Sequence, residues 1–271
     1  MNIIEKLIKS KTSDQIDCED GLFINENFIA VVDGATTKGK LVWDGKTSGR
    51  YAKDVILETL LTLDENVDAY GAIETINNSI RKAYKENLEI AKTKPEERME
   101  ASIIIFSRTR KEIWSFGDCP CIIDGTLYDH EKKIDLVVSE ARSLYIQLCL
   151  LEGKTETEIM ENDVGREFIL PILKKQSLLS NVDDNEYGFA VIDGLNINLN
   201  NTKIYKVKEG DEIILASDGY PKPQTTLVAS EKYLEDVIEN DPLIISKYKS
   251  TKCLKEGYQS FDDRTYIKFI V

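Results

Sequence analysis

Histidine occurs once in these 271 residues, at His130, so chemistry centred on imidazole has almost nothing to work with. Catalytic triads, histidine-nucleophile phosphatases and His-rich metal sites all need that side chain at the reacting centre. His130 itself lies in the polar stretch Tyr128–Lys133 and reads as a solvated loop residue. The five cysteines are odd in number and scattered, with no Cys-x-x-Cys pair, which argues for reduced thiols rather than a disulfide frame or a zinc site. A thiolate phosphate loop of spacing Cys-x5-Arg is excluded too, because the residues six beyond each cysteine are Ile24, Gly125, Leu127, Thr155 and Gln259. Positive charge is short: 35 basic against 48 acidic side chains leave a net charge of -13, which repels a phosphate backbone and makes nucleic acid an unexpected partner. Apolar runs are short as well. Ile103–Phe106 is typical and falls far below the roughly 18 residues needed to cross a bilayer, so no membrane association is expected. Met1–Lys6 lacks the pattern of a secretory signal, and the expected location is the cytoplasm.

The 42% of hydrophobic residues is enough for a sizeable core. Residues 27–32 form an apolar, β-rich run that should end in a turn at Asp33-Gly34. Helical spacing follows over 52–63 and again over 69–91, with Asp68 placed to cap the second helix. Strands are predicted at 101–106, 111–116 and 119–123, then a turn at Asp124-Gly125 and one more short strand, together an antiparallel meander. The pattern turns helical over 139–176, with Pro171 limiting its continuity. Strands resume at 188–192, 203–207 and 211–217, a helix pair is predicted within 230–255, and 266–271 closes the chain as a strand. Runs of strands alternating with helix pairs, with no βαβ period, indicate an α+β layered fold. No linker rich in Pro, Gly or Ser interrupts it, so residues 1–271 are expected to form one domain.

Asp-Gly occurs six times, at Asp20, Asp33, Asp44, Asp124, Asp193 and Asp218. Most should be ordinary turns. Asp33 and Asp218 stand apart because an apolar strand delivers each to its end, Phe28–Val32 before one and Glu212–Ser217 before the other. Cys18-Glu19-Asp20 and Phe261-Asp262-Asp263 add two more acidic clusters at strand boundaries. Carboxylates without histidine or thiolate among them are hard oxygen ligands, suited to Mg²⁺ or Mn²⁺.

In this order and context the clusters resemble the metal-dependent serine/threonine phosphatases, the type 2C or PPM family. The family's acidic pair, Asp-Gly strand end, Gly-Asp-Ser turn, Ser-Asp-Gly strand end and C-terminal Asp-Asn-x-Thr correspond to Glu19-Asp20, Val31-Val32-Asp33-Gly34, Gly117-Asp118-Cys119, Ala216-Ser217-Asp218-Gly219 and Asp262-Asp263-Arg264-Thr265. The resemblance implies a four-layer α-β-β-α sandwich, two central antiparallel sheets flanked by helix pairs. It also implies two divalent ions with a possible third: Asp33 bridging, the Gly34 carbonyl, Asp218 and Asp262 as direct ligands, Glu19 and Asp20 as the N-terminal acidic pair, and Asp118 as a ligand of the third. The implied activity is hydrolysis of phosphoserine and phosphothreonine in proteins by a water activated between the metals, with Asp33 and Asp218 at the catalytic centre.

Four positions depart from the pattern. Gln15 stands where many members carry a phosphate-gripping Arg, leaving Lys11, Lys38, Lys40 or Arg50 to supply that charge. Ala35 stands where animal members carry a histidine acid, Cys119 replaces serine, and Asp263 replaces asparagine. These departures motivate an alternative, a non-catalytic module that keeps the fold to bind or regulate a partner. A second alternative is nucleotide binding, since Gly34–Lys40 fits Gly-x4-Gly-Lys, but Leu41 stands where a P-loop needs Ser or Thr. Gly188–Gly194 echoes the segment around Asp33 and is expected to be a decoy, leaving Asp193 outside the metal site.

Overall fold

The computed structural model describes residues 2–35 and 38–271. Thr36 and Thr37, part of the P-loop-like stretch, lie outside the described residues. The chain runs through β1 (Asn2–Lys9), β2 (Asp20–Ile24), β3 (Phe28–Ala35), α1 (Ser48–Leu61), α2 (Ala69–Ala83), α3 (Leu88–Thr93), β4 (Glu100–Ser107) and β5 (Glu112–Phe116). It continues with β6 (Cys121–Ile123), β7 (Thr126–Tyr128), α4 (Lys133–Leu151), α5 (Glu156–Glu161), α6 (Val164–Lys175), β8 (Lys203–Lys206), β9 (Glu212–Ala216), α7 (Leu227–Asn240) and β10 (Arg264–Ile270).

The strands form two five-stranded antiparallel sheets, ordered β1-β10-β9-β6-β7 and β2-β3-β4-β5-β8. Their inner faces meet in a core where Ile29, Val31, Ile104 and Phe106 of one sheet oppose Leu215, Ile267, Phe269 and Cys121 of the other. Fully buried strands need apolar side chains on both faces, which is why Phe28–Val32 reads as an unbroken hydrophobic run. The outer face of the β3-containing sheet is covered by α1 and α2 through Ala52, Ile56, Ile73, Ile76 and Ile80. The outer face of the other sheet is covered through Leu234 and Val237 of α7. The α-β-β-α layering is as expected. Helices α4 and α6 pack on each other through Val138 and Ile169.

Several local expectations are corrected. The strand at residues 28–35 runs straight through Asp33-Gly34 instead of turning there, because that dipeptide still pairs with Ser102 and Ala101. The helix expected over 69–91 breaks after Tyr84, with Lys85 at φ 50°; the Tyr84 hydroxyl donates to the Asp193 carbonyl at 2.9 Å and accepts from Met99 N–H at 2.8 Å. The 101–123 meander is split, since β4 and β5 lie in one sheet and β6 and β7 in the other. Pro171 sits inside α6, which runs on through it. Residues 188–192 form no continuous strand: Phe189 and Ile192 make isolated bridges to Ser180 and Ala101, while the Asn181 side chain accepts from Val191 N–H and donates to its carbonyl between them. The second helix of 230–255 is absent because Asp241, followed by Pro242, accepts from the N–H groups of Ile245, Ser246 and Lys247, an alternative to helical bonding. Strand β1 had no sequence signal strong enough to mark it.

Candidate active site

The six Asp-Gly steps separate by backbone conformation. At Asp44-Gly45 and Asp124-Gly125 both residues have positive φ, as in tight turns, and Gly194 is likewise left-handed at φ 72°. Gly21, Gly34 and Gly219 are not left-handed; Gly34 and Gly219 are small because other backbone lies against them, and Gly21 because the Lys53 and Leu57 side chains do. A Cβ on Gly34 would stand 2.3 Å from the Gly49 carbonyl oxygen, and one on Gly219 would stand 1.8 Å from that of Asp263. These glycines let α1 abut β3 and let the segment after β9 press on the segment before β10. The carboxylates are gathered as a result.

Asp20 and Asp33 face each other across β2 and β3. From the other sheet, the Asp218 N–H donates to Asp33 Oδ2 at 3.4 Å. Asp20 Oδ2 accepts from the hydroxyls of Ser217 at 2.6 Å and Thr265 at 2.9 Å, which locks the two sheets together beneath the site. Asp263 ties in the chain end: it accepts from Lys11 N–H at 2.7 Å and from Glu19 N–H at 3.0 Å. Glu19 accepts from Thr47, the residue that also caps α1. Asp33, Gly34, Asp118, Asp218, Asp262 and Lys11 line one cleft of about 630 Å³, whereas Glu19 and Asp20 are buried behind its wall.

Three ammonium groups enter this cluster. Lys11 lies 3.5 Å from Glu19, 3.3 Å from Asp262 and 3.2 Å from Asp263. Lys252 pairs with Asp262, and Lys132 pairs with Asp118 at 2.6 Å. Burial works against charge on Asp262, yet Lys252 and Lys11 outweigh it and hold its pKa down to about 2. Asp33 and Asp218 have no ion pair among the described residues. Burial, and then the neighbouring Asp218, push Asp33 well above the usual carboxylate range, while burial followed by Asp118 and Asp262 raises Asp218 to about 7. Burial also raises Asp20, to about 8. Asp33, half-buried, and Asp218, exposed to the cleft, thus meet without an ion pair of their own. Among the described residues, no group of three or more His, Cys, Asp or Glu side chains is already arranged to hold a metal ion.

Of the basic residues proposed to replace an arginine at position 15, Lys11 and Lys38 line the cleft; Lys40 and Arg50 are not among its lining residues. Gln15 points elsewhere, accepting from Ser10 N–H at 3.1 Å. Burial, then Arg166 and Lys252 nearby, lower Lys38 to about 8. Arg166, Lys132 and Lys252 had no sequence signal, because nothing in a lone basic residue marks it as facing a cleft. His130 is half-buried rather than solvated, with its ring 5.9 Å from that of Tyr205 and its Nε2 2.9 Å from the Tyr205 hydroxyl. All five cysteines are buried and free.

Asp193 lies apart from the cleft, beneath α2, where its Oδ1 accepts from Leu195 N–H at 2.8 Å. Burial raises its pKa to about 7. Between about pH 4 and that value the unfolded chain has lost this proton while the folded chain keeps it, so stability falls as pH rises through the window. Asp193→Asn keeps the acceptor and removes the charge. We expect it to unfold at higher denaturant than the parent at pH 8, by on the order of 2–3 kcal/mol, and to differ little at pH 4; an equal difference at both pH values would refute the assignment.

Comparison with known proteins places these features in context. Solved serine/threonine phosphatases are similar to this chain. PstP/Ppp of Mycobacterium tuberculosis shares 16% identity at a TM-score of 0.47, over 98% of this chain and 97% of its own. Stp1 of Staphylococcus aureus shares 15% identity at 0.47, over 100% and 95%. The PPM phosphatase MsPP of Mycobacterium smegmatis, solved with cacodylate, shares 14% at 0.46 over the whole of both chains. No family model and no curated protein sequence matches the chain. No helix among the described residues is long and apolar enough to cross a membrane.

Proposed function

We propose that the chain is a metal-dependent phosphomonoester hydrolase acting on phosphoserine and phosphothreonine in proteins. The observation that carries this reading is the meeting of Asp33 and Asp218, delivered from two different sheets and without an ion pair, in one cleft. Their all-oxygen chemistry fits Mg²⁺ or Mn²⁺, with the Gly34 carbonyl and Asp262 beside them and Glu19 and Asp20 behind. Seven carboxylates, Glu19, Asp20, Asp33, Asp118, Asp218, Asp262 and Asp263, gather around Lys11, Lys132 and Lys252, and this surplus of acids supports binding of divalent ions. Bound there, such ions supply the positive charge that acidifies water and stabilises a phosphoryl group under attack.

The chain's own residues do the rest. The Ser217 and Thr265 hydroxyls fix Asp20, and the Asp218 amide fixes Asp33, so the acids cannot swing away from one another. Lys38, Arg166 and Lys252 stand near enough on the cleft wall to perturb one another, and such a gathering of cations favours an anionic ligand. Arg166 donates through Nη1 to the Thr251 carbonyl at 2.7 Å, which orients its planar fork for a phosphate.

A phosphoserine peptide should be turned over with Mn²⁺ present and not after chelation. Arg166→Met should raise KM about tenfold with a smaller effect on kcat, the loss of one charge-assisted contact. Chelator-resistant turnover would overturn the reading. Folded protein that binds Mn²⁺ but releases no phosphate would favour the non-catalytic module instead.

A further inference from the structure

Asp118 differs from Asp33 and Asp218 in being buried and in already holding a cation in contact. Lys132, the residue that precedes α4, places Nζ 2.6 Å from Asp118 Oδ2. The other oxygen, Oδ1, accepts from the Ser102 hydroxyl, and that same hydroxyl accepts from the Asp118 N–H at 3.3 Å. Ser102 is held close by Gly117, where a Cβ would stand 2.3 Å from its Oγ. Both carboxylate oxygens are therefore engaged by protein groups. The lysine is equally committed: its side chain is 13% exposed, and its ammonium lies 5.1 Å from the centre of the Phe189 ring. Neither partner has bulk water to fall back on, and each is the other's main charge compensation.

We infer that Lys132 is a built-in counter-cation that occupies the position of a metal at Asp118, so that this chain uses Asp118 to order α4 against the crossover between the sheets and not to bind a divalent ion. An ammonium in hydrogen-bond contact with the carboxylate would repel a dication approaching the same oxygen and would have to leave its buried seat to admit one. The inference builds on the proposed metal site only in distinguishing Asp118 from it.

Calorimetric titration with Mn²⁺ and thermal unfolding, on the full chain, test this together. Asp118→Asn should leave the stoichiometry unchanged and the Mn²⁺ affinity within about twofold of the parent. Lys132→Met should unfold about 10 °C lower in chelator, because it strands a buried carboxylate, and should bind one more equivalent of Mn²⁺ than the parent and regain much of that loss. Lys132→Met/Asp118→Asn, with no charge left to pair, should fold without the extra equivalent. Loss of a Mn²⁺ equivalent in Asp118→Asn, or no gain in Lys132→Met, would overturn the inference. If Lys132→Met does not fold, the Asp118→Asn titration decides alone. A parent that binds no Mn²⁺ at all sinks the proposed function, whereas a Lys132→Met variant that then acquires Mn²⁺-dependent stability still upholds the role of Lys132.

Discussion

Asp33→Asn is expected to lower Mn²⁺-dependent turnover by about a thousandfold or more, because it removes charge from the point where the two sheets bring their acids together. Asp218→Asn should do the same. A second readout separates this from simple damage. In the metal-free protein Asp33 and Asp218 meet at the cleft without an ion pair, so an uncharged amide in either place relieves repulsion. The metal-free variants should therefore melt no lower than the parent, while the rise in melting temperature that Mn²⁺ gives the parent disappears. Turnover within tenfold of the parent, or an undiminished Mn²⁺-induced rise, would show that the acids do not hold the metal.

Gly219→Ala is expected to be the most damaging small substitution in the site. Its new methyl would begin 1.8 Å from the Asp263 carbonyl oxygen and 3.0 Å from the Arg264 Cβ, and neither can yield without moving β10. The cost should be about 3 kcal/mol or more. Gly45→Ala is the control: there the glycine has φ 75° and nothing within 4 Å of the added carbon, so the cost is the left-handed backbone alone, about 1 kcal/mol. Denaturant unfolding of the two variants measures the contrast. If Gly219→Ala costs no more than Gly45→Ala, the close approach between the segments around residues 219 and 263 is not what seats Asp218.

The residues recognised most readily from sequence are those whose neighbours in the chain announce them. Asp33 and Asp218 follow apolar strands, Asp68 precedes a helical period and does cap α2, accepting from Gly71 N–H at 2.8 Å, and Ile29 and Val31 sit in a run too apolar to lie anywhere but between layers. Two expectations failed because a side chain took backbone bonds, and one element was missed because its partner lies far along the chain. Residues 188–192 have strand composition, but the Asn181 side chain takes the hydrogen bonds of Val191 and leaves only isolated bridges at Phe189 and Ile192. The residues after Asn240 have helical spacing, but the Asp241 carboxylate takes three of their N–H groups. Strand β1 is visible only through its pairing with β10, more than 250 positions away.

Charge compensation was the least legible feature. The carboxylates appear in the sequence as an acidic excess, yet which of them are neutralised depends on Lys11 reaching Asp262, Lys252 reaching the same residue from another loop, and Lys132 reaching Asp118. The layered α+β class followed from the sequence by itself, and the acids at strand ends could be singled out there as candidates, because periodicity and residue type are local properties. Tertiary structure alone decided which acids already own a cation and which do not, because Coulomb energy depends on separation in space and on burial, and neither is written in the order of residues along the chain.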